Sequence, residues 1–222
     1  MSTSFRRNLF MEITIWSDFV CPFCYIAEEH LNQALSTFSE KDDVTIEYKS
    51  FQLDPVGTYQ PELNYYETFA KLKGMPMDKV TQMMDSVKNM ANEAGLTMNY
   101  DDAKYSNTLK AHRVFQYAKE EGRGNDYFHR FYRAHFVEGL NIEDNEVIEK
   151  LSQELGLNLA DVQAILNDSQ TNHQKVQDDI ATAGSIGVQG VPFFVFNNKY
   201  AVSGAQPIEV FKNVLEQVAA ES

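Results

Sequence analysis

Cysteine is scarce in this chain, with two residues among 222, Cys21 and Cys24. A small secreted scaffold held by disulfides uses many more, so a stapled extracellular fold is excluded and interest passes to the spacing of the pair. Long apolar runs are missing too: nothing approaches the ~20 residues of a membrane-spanning helix. Behind Arg6 and Arg7 there is no apolar stretch of the ~7–15 residues that a secretory signal requires, and Glu12 interrupts the segment. Positive charge is also short, since 19 Lys and Arg face 32 Asp and Glu for a formal net charge of -13. A nucleic-acid backbone would be repelled, so no nucleic acid and no membrane are expected as partners. The default expectation is a cytoplasmic location. Residues 1 to 10 read as a frayed extension or an alternative start ahead of Met11.

What is present is an ordered series of elements. Residues 12 to 16 alternate polar and apolar like a short strand, and the two cysteines follow within five residues. Ala27, Leu31, Ala34 or Leu35, and Phe38 then recur at helical spacing, with Pro22 suited to a first helical turn because its missing N–H has no partner there. Val44, Ile46 and Tyr48 give a second strand. From about residue 61 to residue 167 strand signals vanish. Val80, Met83, Met84, Val87, Met90 and Ala94 mark one helix, closed by Gly95. His112, Phe115 and Ala118 mark another, closed by Gly122. Phe128 to Phe136, Val147 to Leu155 and Leu159 to Leu166 mark three more. Val176, Ile180 and Ala183 carry a further helix. Phe193 to Phe196 and Tyr200 to Val202 form a hairpin around Asn197 and Asn198, and Pro207 opens a last helix with the stripe Ile208, Phe211, Leu215 and Val218.

Strand, helix, strand, then helix, hairpin and helix is the order of a thioredoxin-like α/β fold, here with a large all-helical insertion at its middle. The expected division is a discontinuous thioredoxin-like domain, residues 11-57 and 170-222, with an inserted helical domain over 58-169. The parallel part of the sheet should be covered on both faces.

In Cys21-Pro22-Phe23-Cys24 the spacing at a helix start brings two sulfurs within bonding reach, while the helix N-terminal amides stabilise a thiolate on the first cysteine. Only a thiolate attacks a disulfide. Cys24, one turn inside, would resolve the mixed disulfide by attacking the sulfur of Cys21. Pro22 removes one donor and Phe23 sets an apolar face beside the sulfur, and both tune the exchange. A half zinc site is the rival reading. No second cysteine pair exists, and His30, His112, His129, His135 and His173 show no ligand spacing, so no metal is expected. Two inert buried thiols would not need the strand before and the helix after them.

Trp16-Ser17-Asp18-Phe19-Val20-Cys21-Pro22-Phe23-Cys24, Gly190-Val191-Pro192-Phe193-Phe194 and Val202-Ser203-Gly204-Ala205-Gln206 together resemble the DsbA family of thioredoxin-fold proteins, and within it the FrnE-like cytoplasmic branch. The resemblance implies a thiol-disulfide oxidoreductase with no cofactor, Cys21 as nucleophile and Cys24 as resolving thiol. It implies a cis Pro192 facing the cysteine pair, with the backbone of Val191 free to pair with an extended substrate, and Pro22 and Phe23 beside it. The expected partner is a thiol or disulfide of a protein or small molecule, with glutathione among the candidates. One departure stands out. Several relatives place a buried acid six residues before the first cysteine as a proton relay, and this chain has Ile15 there; Asp18 and Glu12 lie near, but no motif assigns either the role. Two alternatives share the topology. A glutathione-dependent isomerase or transferase of the 2-hydroxychromene-2-carboxylate isomerase or kappa-class type typically carries Ser in place of the first cysteine, and a non-enzymatic peptide-binding module would keep the groove without turnover.

Lesser signals follow the elements. Six of the eight methionines fall between Met75 and Met98. Met83, Met84 and Met90 share the face of Val80 and Val87 and read as core, leaving Met75 and Met77 freer to face a groove. His112 beside Arg113 reads as a packed helical residue. Asp101-Asp102 and Glu143-Asp144 read as helix N-terminal acids.

Overall fold

The structure is a computed structural model that describes residues 10–221; the expectation for residues 1 to 9 lies outside them. Four strands form one sheet in the order β2-β1-β3-β4, where β1 is Met11–Ser17, β2 Val44–Ser50, β3 Phe193–Phe196 and β4 Tyr200–Ser203. β1 runs parallel to β2 and antiparallel to β3, and β3 turns back onto β4. The β3-β4 turn rests on Asn197 and Asn198, both with positive φ, 47° and 53°, as a tight hairpin demands. β1 is central, and every residue in it but Glu12 is buried, so both of its faces are covered.

Helix α1 (Pro22–Ser36) buries Cys24, Ala27, Glu28, Leu31 and Ala34 along one stripe and packs against the last helix, α9 (Ile208–Ala220). Between β2 and helix α8 (His173–Ser185) lie α2 (Tyr65–Lys73), α3 (Met77–Glu93), α4 (Leu109–Glu120), α5 (Gly124–Phe136), α6 (Asn145–Glu154) and α7 (Leu159–Asn167). α5 and α8 both pack on β2, and α3 touches α1. A single apolar cluster therefore runs from Ile13 and Leu31 through Phe115 and Phe131 to Leu151.

Helix α2 does not follow from apolar periodicity, because a buried Thr68 sits in its inner face. Its ends are nevertheless explicit. The Asn64 side chain accepts from the Glu67 amide while Glu67 reaches back to the Asn64 amide, and Gly74 closes the helix at φ 62°. Asp144 caps α6 as expected, but Asp101 and Asp102 do not open a helix. They lie in a turn before α4 in which the Asn99 side-chain Nδ2 donates to the Asp102 carboxylate at 2.7 Å. Arg113 is buried, and its guanidinium donates to the backbone carbonyls of Ile165, Asp168 and Thr171, tying the end of α7 to α4.

His135, on α5, is fully buried, and neither ring nitrogen has a hydrogen-bond partner. Burial pushes its pKa from 6.5 down to about 4, with the charge of Asp18 acting the other way. The sign follows directly. As pH falls below 6.5 the unfolded chain takes up a proton that folded His135 refuses until about pH 4, so stability is lost over that interval. The full cost is about 3 kcal/mol. Urea unfolding at neutral and at mildly acidic pH should show His135→Phe losing less stability than the wild type; equal losses would clear His135 of the effect.

Candidate active site

The cysteine pair sits where β1 hands over to α1. Phe19 leads this turn. It is wholly buried, stacks on Phe128 with ring centroids 4.3 Å apart and contacts Phe131 at 5.4 Å, Tyr127 at 5.8 Å and His112 at 4.5 Å. The turn then tightens as the Cys21 amide donates to the Asp18 carbonyl at 3.0 Å. Cys21 is the N-cap of α1 and its sulfur accepts from the Cys24 amide at 3.2 Å, the bond that Ser or Asp makes at ordinary helix starts. Pro22 occupies the first turn, as its missing N–H allows.

Both cysteines are thiols and both are buried, Cys21 1% and Cys24 2% exposed. The Cys21 thiol donates to the Val191 carbonyl at 3.6 Å. The sheet explains how a residue 170 positions away arrives there. Trp16 pairs with Phe193 in the antiparallel ladder, so the residues before Phe193 are delivered to the end of β1. The Val191-Pro192 bond is cis, in line with the resemblance, and the Pro192 carbonyl is held by the Gly204 amide at 2.9 Å. Cys21, Pro22, Phe23, Val191 and Pro192 are thus drawn to one place, with Cys24 immediately beneath. Burial pushes the Cys24 thiol well up, a hydrogen bond with Cys21 and the charge of Cys21 push it further, and the Ser17 hydroxyl and Asp18 amide act against both.

A cavity of ≈ 290 Å³ opens beside Cys21, walled by Phe23, Tyr65, Phe69, Met84 and Val191. Its lining is mostly apolar. Phe23 and Leu53 stand at its rim 40% and 44% exposed. Lys73 and Asp54 are the charged side chains that reach it; Asp54 accepts from the Tyr105 hydroxyl and from the Val56 and Gly57 amides. Those bonds hold the Asp54 carboxyl below its usual range although partial burial raises it. The methionines divide differently from expectation. Met83 and Met84 line the cavity, Met84 being at once core and wall, while Met90 is exposed because the buried stripe runs through Val80, Met84, Val87 and Ala91 and Met90 lies to one side of it. Met75 packs on the core and Met77 is exposed.

Two acid-histidine pairs flank the cysteines, one wholly buried and one reaching the surface through its histidine, and sequence singled out neither pair. The Asp18 carboxylate accepts from the Leu53 amide at 2.8 Å through one oxygen and meets His112 Nε2 at 3.1 Å through the other, with both side chains fully buried. Glu28, 4% exposed, meets His129 Nε2 at 2.9 Å. Burial lowers the His129 pKa, but the Glu28 carboxylate beside it prevails and the net shift is upward. Signals existed for each: His112 occupies a position in an apolar stripe, and Glu28 falls in the stripe of Cys24, Ala27 and Leu31. Among the described residues, no group of three or more His, Cys, Asp or Glu is placed to hold a metal ion.

A paired-cysteine turn at a helix start, facing a cis-proline loop on a four-stranded sheet of this order, defines a protein of the thioredoxin class. The chain belongs to the DsbA-like thioredoxin domain family, whose pattern matches residues 12–216. A probable DsbA oxidoreductase from Streptomyces coelicolor is similar at 32% identity and a TM-score of 0.87, over 96% of this chain and 91% of that one. YwbO, an uncharacterized protein from Bacillus subtilis, is 27% identical over 92% of this chain and 96% of its own length. The cytosolic disulfide reductase DsbM from Pseudomonas aeruginosa, solved with glutathione, shares the fold at 20% identity and a TM-score of 0.64, over 94% of this chain and 99% of that one.

Emptying the Phe19 site should be costly, because the cluster of rings around it cannot collapse onto the turn. Phe19→Ala is expected to lose about 3–5 kcal/mol of stability by urea unfolding. A loss below about 1 kcal/mol would show that the turn is held by its hydrogen bonds alone.

Proposed function

We propose that this protein is a thiol-disulfide oxidoreductase in which Cys21 is the nucleophile and Cys24 the resolving thiol. The observation that carries the reading is the position of Cys21: its sulfur receives the Cys24 amide at the start of α1 and lies against the Val191 carbonyl. The thiolate is the attacking form in such exchange. In the exchange, the Cys21 thiolate attacks one sulfur of a substrate disulfide and the other sulfur leaves as a thiolate. Cys24 then attacks Cys21 Sγ, closing the Cys21-Cys24 bond as the substrate's remaining sulfur departs reduced. Electrons pass from the dithiol to the substrate, and the reverse sequence oxidises a substrate dithiol.

Val191 and Pro192 dock the substrate. Among the described residues the Val191 amide has no hydrogen-bond acceptor, while the Cys21 thiol already meets the Val191 carbonyl, so an extended peptide can pair beside the sulfur. Pro22 and Phe23 form the apolar floor of the approach. The substrate is a thiol or disulfide of a protein or of a small molecule such as glutathione, the ligand in the DsbM structure. We place the protein in the cytoplasm, within the FrnE-like branch, and divide it into residues 11-57 with 170-222 and an inserted helical domain of 58-169. The described helices include none long and apolar enough to cross a membrane.

One observation favours a second reading. The cavity beside Cys21, ≈ 290 Å³ and walled mostly by apolar side chains, offers room to a small ligand, as a glutathione-dependent isomerase or transferase would need. Calorimetric titration with glutathione, followed by a chromene isomerisation assay, separates the two.

Cys21→Ser should abolish catalysed insulin reduction. Cys24→Ser should still attack but stall as a mixed disulfide, visible as the mass of the substrate thiol added to the protein. Full activity in Cys21→Ser would sink the proposal.

A further inference from the structure

We propose that Glu28 takes the proton from Cys24 when the resolving thiol attacks, and that His129 is the route by which that proton reaches solvent. The inference rests on the proposed exchange chemistry and concerns its second step. Cys24 must become a thiolate to attack Cys21, yet it is 2% exposed, so bulk water is not at hand to accept its proton. A buried acceptor has to stand in.

Glu28 meets the requirements. It follows Cys24 by four residues on α1, which places the two side chains one above the other on the same buried stripe. Its Oε1 is bound by His129, while Oε2 is buried and has only the Tyr48 hydroxyl turned toward the carboxylate, outside good hydrogen-bond geometry. A carboxylate oxygen left open inside an apolar stripe costs stability, and an oxygen with a vacant lone pair is free to receive a proton. Asp18, six residues before Cys24, already has a partner at each carboxylate oxygen, the Leu53 amide at one and His112 at the other. His129, on α5, has a side chain 49% exposed and connects Glu28 to water.

The surroundings are consistent with a proton held locally. The Glu28 charge acts on Tyr25 of its own helix, on Tyr48 from β2, and on His129 and Tyr132 from α5, and Cys24 acts on the same Tyr48 and Tyr132. Beyond them Glu29 and Asp126 act on His129, and Arg133 on Tyr25. Burial, then the charge of Glu28, pushes the Tyr48 hydroxyl well up, and burial with the charges of Cys24 and Glu28 does the same to Tyr132. Both phenols therefore stay protonated, and Glu28 is a carboxylate that acts on both of them. The balance is simple. Cys24 S–H gives its proton to Glu28, the thiolate attacks Cys21 Sγ, the Cys21-substrate bond breaks, and the departing thiolate is protonated by solvent while Glu28 returns its proton through His129.

The test uses glutathione disulfide as the probe on the reduced full chain. Acid quenching and mass spectrometry follow the Cys21-glutathione mixed disulfide as it forms and decays. Glu28→Gln should leave its formation unchanged and slow its decay by about tenfold or more near neutral pH, with the rate recovering as pH rises and hydroxide takes over. Glu28→Asp should recover part of the loss. His129→Gln, a half-exposed change that leaves Glu28 in place, should slow the same step severalfold and guards against a Glu28→Gln chain that fails to fold. Unchanged decay and an unchanged pH profile in either folded variant would overturn the inference, as would an equal slowing of both steps. If the wild type forms no mixed disulfide at all, the exchange reading itself has failed.

Discussion

The burial of Phe19 is the contact on which the rest of the site depends. Two residues before Cys21, it is held among rings from α4 and α5 and cannot move without opening the aromatic centre of the helical segment. Aromatic packing at these separations is rigid because each ring fixes its neighbours. A catalytic turn would otherwise be a mobile loop. Here its first half is part of a core, and its second half is the first turn of a helix.

From that anchor the sheet does the remaining alignment. The β1-β3 ladder sets Trp16 opposite Phe193, and a slip of one residue would turn every side chain of β3 to the other face. The register is guarded from both sides: Phe194 is buried and in edge contact with Phe211 of α9, whereas Phe193 meets Trp16 in the separate small cluster with Ala183 and Val188. Because the register is pinned, the Val191 carbonyl meets the Cys21 thiol without any local feature of either loop having to find the other.

Much of this was legible in the residues themselves. Alternation marked β1 and β2, a short apolar run with the Asn197-Asn198 turn marked the β3-β4 hairpin, glycines closed the long helices, and Cys21 with Pro22 announced a helix start, since each is a local consequence of backbone geometry. Pro192 was placed opposite the cysteines by resemblance, and its meeting with Cys21 depends on a sheet pairing that periodicity does not specify. Helix α2 was missed because Thr68 breaks the apolar period, although the Asn64 and Glu67 capping pair was in plain view. Met83 and Met84 were assigned to the core because a helical stripe shows which side faces inward and cannot show that the interior there contains a cavity. The Asp18-His112 pair joins residues 94 positions apart, and nothing local to either residue carries that information.

These long-range pairs follow a pattern. Asp18 follows β1 and meets His112 of α4; Glu28 lies on α1 and meets His129 of α5. Asp179 of α8 accepts from the Ser50 amide of β2 at 2.9 Å and from Gln116 of α4 at 2.7 Å. In each case an acid carried by the α/β framework is answered by a side chain from α4 or α5. Hydrophobic contact alone would let two helices slide by a turn at small cost, whereas a buried carboxylate left without its donor is heavily penalised. The acids therefore act as position markers. They fix α4 and α5 in rotation and height, those helices fix the rings around Phe19, and Phe19 fixes the turn that carries Cys21. Helices α4 and α5 are thus part of what aims the sulfur, which is why an apolar replacement at Asp18 or Glu28 would relieve a buried charge and still degrade the geometry of the site.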